Sequence, residues 1–314
     1  MSIIEQAAER LAAARRASAA QSRGEDSLPT QSAEPTAGTP RQRLFADGAG
    51  RLHVPPTRVE DPAILLSSRE SEFLLSPEGG RSRTAEEFRL IKRPLLDNAF
   101  ERPLAGVKYP NLLMVSSSVQ GEGKTFTSLN LAISITMEMD STVLLIDADV
   151  AKPGLSTRLG IRDRPGLIER LVDESMDLSR FLLKTDIPKL TVLPAGGSHK
   201  RSTELLASGS MRRLLSEVAS RYPDRIVLFD SPPVLETTEA GVLASLMGQV
   251  VLVVEHNSTA QGVVLEALAR LGPRDHVFLV LNKCKGGLFS GKSGYGYGYG
   301  YGYGSYGEPD GQVE

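Results

Sequence analysis

Six short apolar runs lie in the C-terminal two-thirds of the chain, and segments with helical character separate them. The runs are continuous and rich in Val, Ile and Leu instead of alternating with polar residues, which is typical of parallel strands covered on both faces. They lie at 112–115, 143–146, 190–193, 226–229, 250–254 and 277–281. Helices are predicted between them at 128–137, 203–220 and 262–271. The alternation predicts a doubly wound α/β fold with a mostly parallel sheet, which binds its ligand at the carboxyl ends of the strands.

The rest of the chain divides around this folded domain, which is predicted at 61–285. Residues 1–16 predict a short amphipathic helix, which either docks on a partner protein or is a fraying terminus. Its apolar face consists of Ile3, Ile4, Ala7, Ala8 and Leu11. Residues 17–60 are rich in Ser, Ala, Pro, Gly and Gln, so we expect a disordered linker. Residues 286–314 are expected to form a disordered tail that begins after the last apolar run.

A further helix is predicted before the first strand. Thr84, followed three residues later by Glu87, has the form of a capping box, and Pro94 is expected to end or kink the helix. Three charged residues spaced by three are predicted to lie roughly along one charged stripe, which without a partner is an ordinary solvated helix face. They are Glu86, Arg89 and Lys92.

Composition excludes several classes of protein. The 314 residues suffice for one or two domains, and a formal net charge of −2 gives no reason to expect nucleic acid as a partner. A single cysteine, Cys284, excludes an intramolecular disulfide and suits a reducing compartment. No apolar run approaches the roughly 20 residues that span a bilayer. We therefore expect a cytoplasmic protein that reaches a membrane only through a partner.

The stretch between the first strand and the next helix has the sequence pattern of a phosphate-binding loop. It ends in Gly121, Gly123, Lys124 and Thr125, although Ser118 stands where the usual motif has its first glycine. Glycines let successive backbone N–H groups point at one anion, and the helix that follows adds its positive end. The lysine is expected to reach the β- and γ-phosphates, and the threonine hydroxyl to bind Mg²⁺.

Carboxylates follow two other predicted strands. Asp147 stands at the end of the second run with Asp149 two residues later, and Asp230 stands at the end of the fourth. In a parallel sheet these side chains converge near the phosphate loop. Asp230 is expected to hold Mg²⁺. One of the other two carboxylates is then available to take a proton from an incoming hydroxyl, although Asp149 has the alternative of acting as a turn or cap residue.

The tail is an alternating Gly-Tyr tract that holds six of the eight tyrosines in the protein. Such a tract cannot build a core, because half of its residues have no side chain. Glycine-spaced tyrosines can enter a cleft with little steric conflict, which makes them candidate phosphate acceptors; the alternative is a low-complexity tail with a stacking tendency. The candidate acceptors are Tyr295, Tyr297, Tyr299, Tyr301, Tyr303 and Tyr306.

These motifs resemble those of a known family. Residues 116–125, 144–153 and 227–234 are similar to the Walker A, Walker A′ and Walker B motifs of the bacterial tyrosine kinases of exopolysaccharide assembly. The resemblance covers about 83–285, includes the segment 202–208, and extends to the tyrosine-rich tail. The N-terminal helix and linker most resemble the subgroup that is associated with exosortase loci.

The resemblance implies an ATP-dependent protein-tyrosine autokinase with ATP and Mg²⁺ as cofactors. Lys124 then acts in catalysis, Asp147 is the preferred base, and Thr125, Asp149 and Asp230 organise the metal. The residues implied to bind the nucleotide are Gly121, Glu122, Gly123, Lys124, Thr125, Phe126 and Asn282, the last of them at the adenine.

The resemblance also implies partners. Glu86, Arg89 and Lys92 match the E-x-x-R-x-x-R motif through which family members assemble into rings. An inner-membrane polysaccharide co-polymerase, or chain-length determinant protein, is the implied activator, and a cognate tyrosine phosphatase the implied antagonist. Two positions depart from the family: Ala151 replaces a common arginine, and Lys92 replaces an arginine but cannot pair bidentately with a carboxylate.

Two other functions fit a phosphate-binding loop. One is a partitioning or positioning ATPase that acts as a nucleotide-dependent switch. Those proteins carry a signature lysine early in the loop, where this chain has Val119. The other is a nucleotide-bound scaffold without kinase activity, whose tail recruits partners.

Overall fold

The computed structural model describes residues 64–66, 74–76, 82–221, 224–272 and 276–284. The predicted N-terminal helix at 1–16, the linker at 17–60 and the tail at 286–314, with all six candidate acceptor tyrosines, lie outside the described residues. Within the part that is described, no helix combines the length and apolar character needed to cross a membrane.

The described residues form seven strands and eight α-helices, which alternate along most of the chain. The strands are β1 Leu112–Ser117, β2 Thr142–Asp147, β3 Leu183–Lys184, β4 Leu190–Leu193, β5 Arg225–Asp230, β6 Gln249–Glu255 and β7 Val277–Asn282. The helices are α1 Arg83–Leu96, α2 Lys124–Thr136, α3 Gly154–Arg158, α4 Leu167–Val172, α5 Ser202–Leu206, α6 Gly209–Arg221, α7 Thr238–Leu246 and α8 Gln261–Leu271.

The strands form one sheet in the order β3-β4-β2-β5-β1-β6-β7. Every neighbouring pair is parallel except β3 and β4, which are antiparallel. The predicted doubly wound, mostly parallel sheet is therefore confirmed. The six predicted runs became strands, and the register pairs Asp147 at the end of β2 with Asp230 at the end of β5.

Both faces of the sheet are buried, which explains why the apolar runs are continuous. Along β1, Leu112 and Met114 belong to the core beneath α4–α8, whereas Leu113 and Val115 belong to the core beneath α1–α3. Successive side chains of a strand point to opposite faces, so a strand covered on both sides needs an apolar residue at each position. The exception is β7 at the edge of the sheet, which leaves its Leu279 half-exposed.

Helix α1 differs from the prediction at both ends. Its N-cap is Ser82, whose hydroxyl accepts the N–H of Ala85 at 3.1 Å, and not Thr84. Glu87 pairs with Arg83 at 2.9 Å instead of reaching back to a cap. Pro94 does not end the helix, which runs to Leu96 and continues as the π-turn Asp97–Glu101.

The predicted charged stripe on α1 is wrong at Lys92. Glu86 and Arg89 are exposed and pair with each other at 2.5 Å, but Lys92 is only 5% exposed. Its Nζ donates to the carbonyl oxygen of Ser134 at 2.6 Å and pairs with Glu138 at 2.7 Å. Residues six apart on a helix point about 120° away from each other, since each residue turns 100°, so the third member faces the domain interior.

The helix predicted at 203–220 is two helices, α5 and α6. The hydroxyl of Ser208 accepts the N–H of Met211 at 3.2 Å and so caps the start of α6. The two-residue strand β3 was not predicted, because two residues carry no period.

Candidate nucleotide-binding site

The loop between β1 and α2 has the backbone that an anion cradle requires. Gly121 and Gly123 have φ of +93° and +99°, a region that side chains rarely adopt. A Cβ at Gly123 would lie 2.1 Å from Nδ2 of Asn282. Position 123 therefore needs glycine for its backbone angle, and a Cβ there would also displace the Asn282 amide. Helix α2 begins at Lys124, so its first N–H groups and positive end face the loop.

The predicted charged residues meet beside this loop. Lys124 donates to Oδ2 of Asp149 at 2.8 Å, and both side chains are buried. Asp230 accepts the hydroxyls of Thr125 at 2.7 Å and Ser128 at 3.1 Å. The structure thus brings Lys124, Thr125, Asp149 and Asp230 together, and Ser128 is a contact that the motif analysis did not single out.

Asp147 lies one layer deeper than Asp149. It is fully buried, and its two oxygens accept the N–H groups of Asp149 at 3.2 Å and Ser156 at 2.7 Å. Asp149 also accepts the N–H of Lys152 at 3.2 Å, so the predicted turn role and the pairing with Lys124 coexist in one side chain.

Burial and crowding shift the pKa values of these groups. Burial, aided by the nearby Asp230 carboxylate, raises the pKa of Asp147 to about 7. Burial also raises the pKa of Asp230 despite the opposing influence of Lys124. For Lys124, burial acts to lower the pKa, but Asp230 and Asp149 outweigh it and raise the pKa above the ordinary lysine value. The site therefore keeps its lysine charged and makes one carboxyl a proton acceptor near neutral pH.

A cleft of about 300 Å³ opens above these groups at the carboxyl ends of the strands. Asp149 lines it, whereas Asp147 and Asp230 lie beneath its surface. Its charged lining residues are Lys124, Asp149, Lys152, Arg158 and Glu236. The cleft therefore offers three cations to an anionic ligand.

Glu122 has a role that the motif did not reveal. Its side chain is 1% exposed and turns inward, where its carboxylate accepts the N–H of Val119 at 2.8 Å and the N–H of Glu255 at 3.2 Å. The hydroxyl of Thr259 donates to the same carboxylate. Glu122 thereby fastens the phosphate loop to the segment that follows β6.

The end of β7 is fastened to the same loop. Asn282 donates to the carbonyl oxygen of Glu122 at 2.8 Å, and Lys283 donates to that of Gly121 at 2.8 Å. Asn282 thus stands beside the loop. Phe126, predicted among the nucleotide-binding residues, packs its ring on Phe88 with the centroids 6.1 Å apart.

A second contact missed by sequence reasoning covers the outer side of the loop. Lys152 donates to the side-chain oxygen of Gln120 at 3.0 Å and lies 3.5 Å from Glu236. Glu236 in turn accepts the N–H of Gln120 at 2.9 Å. The only sequence signal for this contact is the Lys-Pro pair at 152–153, which closes the second acidic motif.

The donor set suits a hard cation that shares its coordination with a ligand. No group of three or more His, Cys, Asp or Glu side chains in the described part of the chain is arranged to hold a metal alone. The hydroxyl of Thr125 and the carboxylates of Asp149 and Asp230 are nevertheless oxygen ligands beside a phosphate loop. Mg²⁺ prefers this setting, because it usually keeps several waters and binds through one or two carboxylates and phosphate oxygens.

Comparison with known proteins agrees with this geometry. The AAA domain family matches residues 112–270; the chain belongs to this family and is a P-loop NTPase. Within that class it is a member of the bacterial tyrosine kinase family.

Two curated relatives illustrate the relationship. The chain is 29% identical over 192 residues to tyrosine-protein kinase YwqD of Bacillus subtilis, a match that covers 61% of this chain and 77% of the relative. It is 34% identical over 192 residues to the succinoglycan biosynthesis transport protein ExoP of Rhizobium meliloti, covering 60% of this chain but 23% of the relative. The chain thus matches most of the first relative and about a quarter of the second.

Solved kinase domains share the fold. The kinase domain of the Escherichia coli tyrosine kinase ETK is 26% identical with a TM-score of 0.53, covering 68% of this chain and 80% of that domain. The kinase domain of VpsO is 29% identical with a TM-score of 0.52, covering 64% of this chain and 97% of that domain.

Proposed function

We propose that the protein is an ATP-dependent tyrosine autokinase that transfers the γ-phosphoryl group of ATP to tyrosines of its own tail. The observation that carries the proposal is the convergence of Lys124, Thr125 and three carboxylates beside a glycine loop in a chain that also holds six glycine-spaced tyrosines. The names of the relatives, among them YwqD and ETK, support the same activity.

The proposed roles follow from the contacts of each residue. Lys124 exchanges its partner Asp149 for phosphate oxygens when ATP binds, and the N-terminal end of α2 adds backbone donors. Thr125, Asp149 and Asp230 would hold Mg²⁺, which when bound neutralises charge on the phosphate oxygens. Asn282, which lies next to the loop, is proposed to contact the adenine.

Asp147 is proposed as the acceptor of the tyrosine proton. Its pKa of about 7 suits a general base at neutral pH. Because Asp149 lines the cleft and Asp147 lies beneath it, the assignment is tested by comparing Asp147→Asn with Asp149→Asn. Loss of the acidic limb of the pH–rate profile in the second variant alone would move the role to Asp149.

Phosphorylation is proposed to act in trans within a ring of subunits. The exposed pair of Glu86 and Arg89 supports a role in ring contacts, whereas Lys92 is held inside its own domain. Each phosphotyrosine adds about −1.5 to −2 charge, so six add roughly −9 to −12. We propose that such a tail is repelled from a site that already holds an anionic nucleotide beside Asp147, Asp149 and Asp230, and that the ring loosens. An unchanged oligomeric state after full phosphorylation would contradict this.

The cellular setting is proposed from the relatives. ExoP is named for succinoglycan biosynthesis and transport, so this chain is proposed to regulate the polymerisation or export of a polysaccharide. A membrane co-polymerase would activate it and recruit it to the inner membrane from the cytoplasm, and a tyrosine phosphatase would reverse its modification. The exosortase-associated subgroup is proposed from the N-terminal segment.

Intact-mass spectrometry of the full chain before and after addition of Mg·ATP tests the activity. We expect additions of single phosphates that map to 295–306, that are absent in Lys124→Met and unchanged in Lys200→Met, a control at an exposed lysine. An unmodified tail with steady phosphate release would instead establish a switch ATPase. If neither phosphorylation nor phosphate release occurs, the cytoplasmic segment of a co-polymerase is added. The absence of both activities in its presence would refute the proposed enzymatic function.

A further inference from the structure

A second cavity, larger than the nucleotide cleft, lies at the opposite end of the sheet. Its volume is about 540 Å³, within the range of small-ligand sites. Its lining residues precede β1, β6 and β7 or lie on α6 and at the end of α7, so the cavity is at the amino ends of the strands. A six-residue strand is about 20 Å long, so the cavity is about that distance from the phosphate loop.

The lining combines cations with an apolar wall. The apolar part consists of Val107, Leu215, Leu246 and Met247. Lys108, Arg212 and Arg213 also line the cavity, and none of the described lining residues is acidic. Arg213 is paired with Glu174 through two hydrogen bonds of 2.6 Å. Lys108 and Arg212 form no ion pair with a carboxylate among the described residues.

Lys108 and Arg212 form one cluster with two further polar residues of the lining, Tyr109 and Ser216. The hydroxyls of Tyr109 and Ser216 are hydrogen-bonded at 3.0 Å, and Nζ of Lys108 lies 4.9 Å from the centroid of the Tyr109 ring. Arg212 is four residues before Ser216 on α6, so both are on the same face of that helix. Contacts with Ser216 and with Lys108 lower the pKa of Tyr109, as expected of a site that favours negative charge.

We propose that this cavity is a docking site for phosphotyrosine of the tail segment 295–306. A phosphate monoester on an aromatic ring is the ligand that matches a cationic cluster beside an apolar wall, because arginine and lysine bind phosphate oxygens and the ring fills apolar space. The inference rests on the proposed kinase activity, since that activity would produce the phosphotyrosine.

The tail is long enough to reach the cavity. The last described residue, Cys284, follows β7 at the carboxyl ends of the strands. The 11 residues from Cys284 to Tyr295 span at most roughly 40 Å, and the 22 to Tyr306 at most roughly 75 Å. Both spans exceed the distance along the sheet. A tail that its own charge repels from the nucleotide cleft would thus be held at the other end of the domain.

Binding of a synthetic peptide to the full-length, phosphatase-treated protein tests the proposal. The peptide carries residues 294–306 with phosphate on Tyr301, and its fluorescence anisotropy is followed. We expect the phosphopeptide to bind about tenfold or more tightly than the unphosphorylated peptide, with affinity that falls as salt rises. Excess Mg·ATP is expected not to displace it.

Variants locate the site. Lys108→Gln with Arg212→Gln is expected to weaken binding about tenfold or more, and Arg212→Lys to give an intermediate affinity because it keeps the charge but loses the planar fork. Both side chains are exposed, and a matched thermal unfolding curve would confirm the fold. The control Arg162→Gln with Arg164→Gln removes the same charge elsewhere and is expected to change affinity by about twofold or less.

Several results would overturn the proposal. They are equal binding of both peptides, displacement by Mg·ATP, unchanged affinity in the double variant, or no binding at all. Because the phosphopeptide is synthetic, the test does not depend on kinase activity. If the protein binds the phosphopeptide but is not phosphorylated in the intact-mass test, the proposed kinase activity is refuted and the proposed docking site stands.

Discussion

Replacing Glu122 by alanine should destabilise the domain although Glu122 is a charged loop residue. Its carboxylate accepts the N–H groups of Val119 and Glu255 and the hydroxyl of Thr259, and its side chain is 1% exposed. Alanine leaves both N–H groups without their acceptor. The Thr259 hydroxyl can rotate to another partner, so the main loss falls on the backbone groups.

The magnitude follows from those two donors. A buried N–H that loses its acceptor costs about 1–3 kcal/mol, so the loss of two lowers the free energy of unfolding of Glu122→Ala by about 2–6 kcal/mol. In a domain of this size each kcal/mol lowers Tm by about 2–4 °C, hence a fall of roughly 4–24 °C. Nucleotide affinity should also fall by about tenfold or more, because the loop is no longer fixed.

Charge and geometry can be separated. Removal of a carboxylate would by itself favour an anionic nucleotide, so a fall in affinity reports the loss of loop position. Glu122→Gln removes the charge but keeps one accepting oxygen, and should cost about 1–2 kcal/mol. Thr259→Val, against Thr259→Ser as the variant that keeps the hydroxyl, tests the third contact.

Urea unfolding of the nucleotide-free protein gives the free energy of unfolding. Far-ultraviolet circular dichroism is the signal, because the chain has no tryptophan. The matched control is Glu236→Ala, which removes another carboxylate that accepts an N–H of the same loop but at an exposed position; it should cost less than about 1 kcal/mol. If Glu122→Ala unfolded within about 0.5 kcal/mol of the parent protein, the reasoning would be refuted.

Three further changes have defined outcomes. Gly123→Ala should abolish nucleotide binding in calorimetry, because φ is +99° and the added Cβ would meet Asn282; retained affinity would contradict the loop geometry. Since the pKa of Asp147 is about 7, kcat/KM should rise with pH through that value. Its pKa in the folded state lies above the value of 3.8 for the free group, so the folded state holds more protons and the free energy of unfolding should fall as pH rises from about 4 to 7. Asp147→Asn should remove the rise of kcat/KM with pH and should reduce this dependence of stability on pH. Lys92→Met should lower the free energy of unfolding by about 1–3 kcal/mol, because the carbonyl of Ser134 loses its donor, and should leave the sedimentation coefficient unchanged.

The sequence predicts the sheet and the charged centre of the site because both depend on local patterns. Continuous apolar runs mark strands buried on two faces, and Asp147, Asp149 and Asp230 each follow such a run directly. In a parallel sheet, residues at the ends of strands meet at one edge. Their convergence on Lys124 can therefore be predicted without regard to how far apart these residues are along the chain.

Contacts between distant, irregular segments could not be predicted. Glu122 meets Glu255 and Thr259 across 133 and 137 residues, and no period links a loop to another loop. Lys92 was predicted on an exposed face, because its spacing from Arg89 matches a helical stripe. The carbonyl of Ser134 and the side chain of Glu138, which draw it inward, become its neighbours only after α1 has packed on α2.

The ion pair between Lys124 and Asp149 has a consequence for the pace of successive reactions. An arriving nucleotide must take the lysine from a carboxylate 2.8 Å away, and a departing one returns it to the same carboxylate. The empty cleft therefore keeps the buried ammonium group of Lys124 paired, which lowers the free-energy cost of releasing ADP. In the proposed kinase, this competition lowers the affinity for ADP and is expected to shorten its residence time before fresh ATP binds.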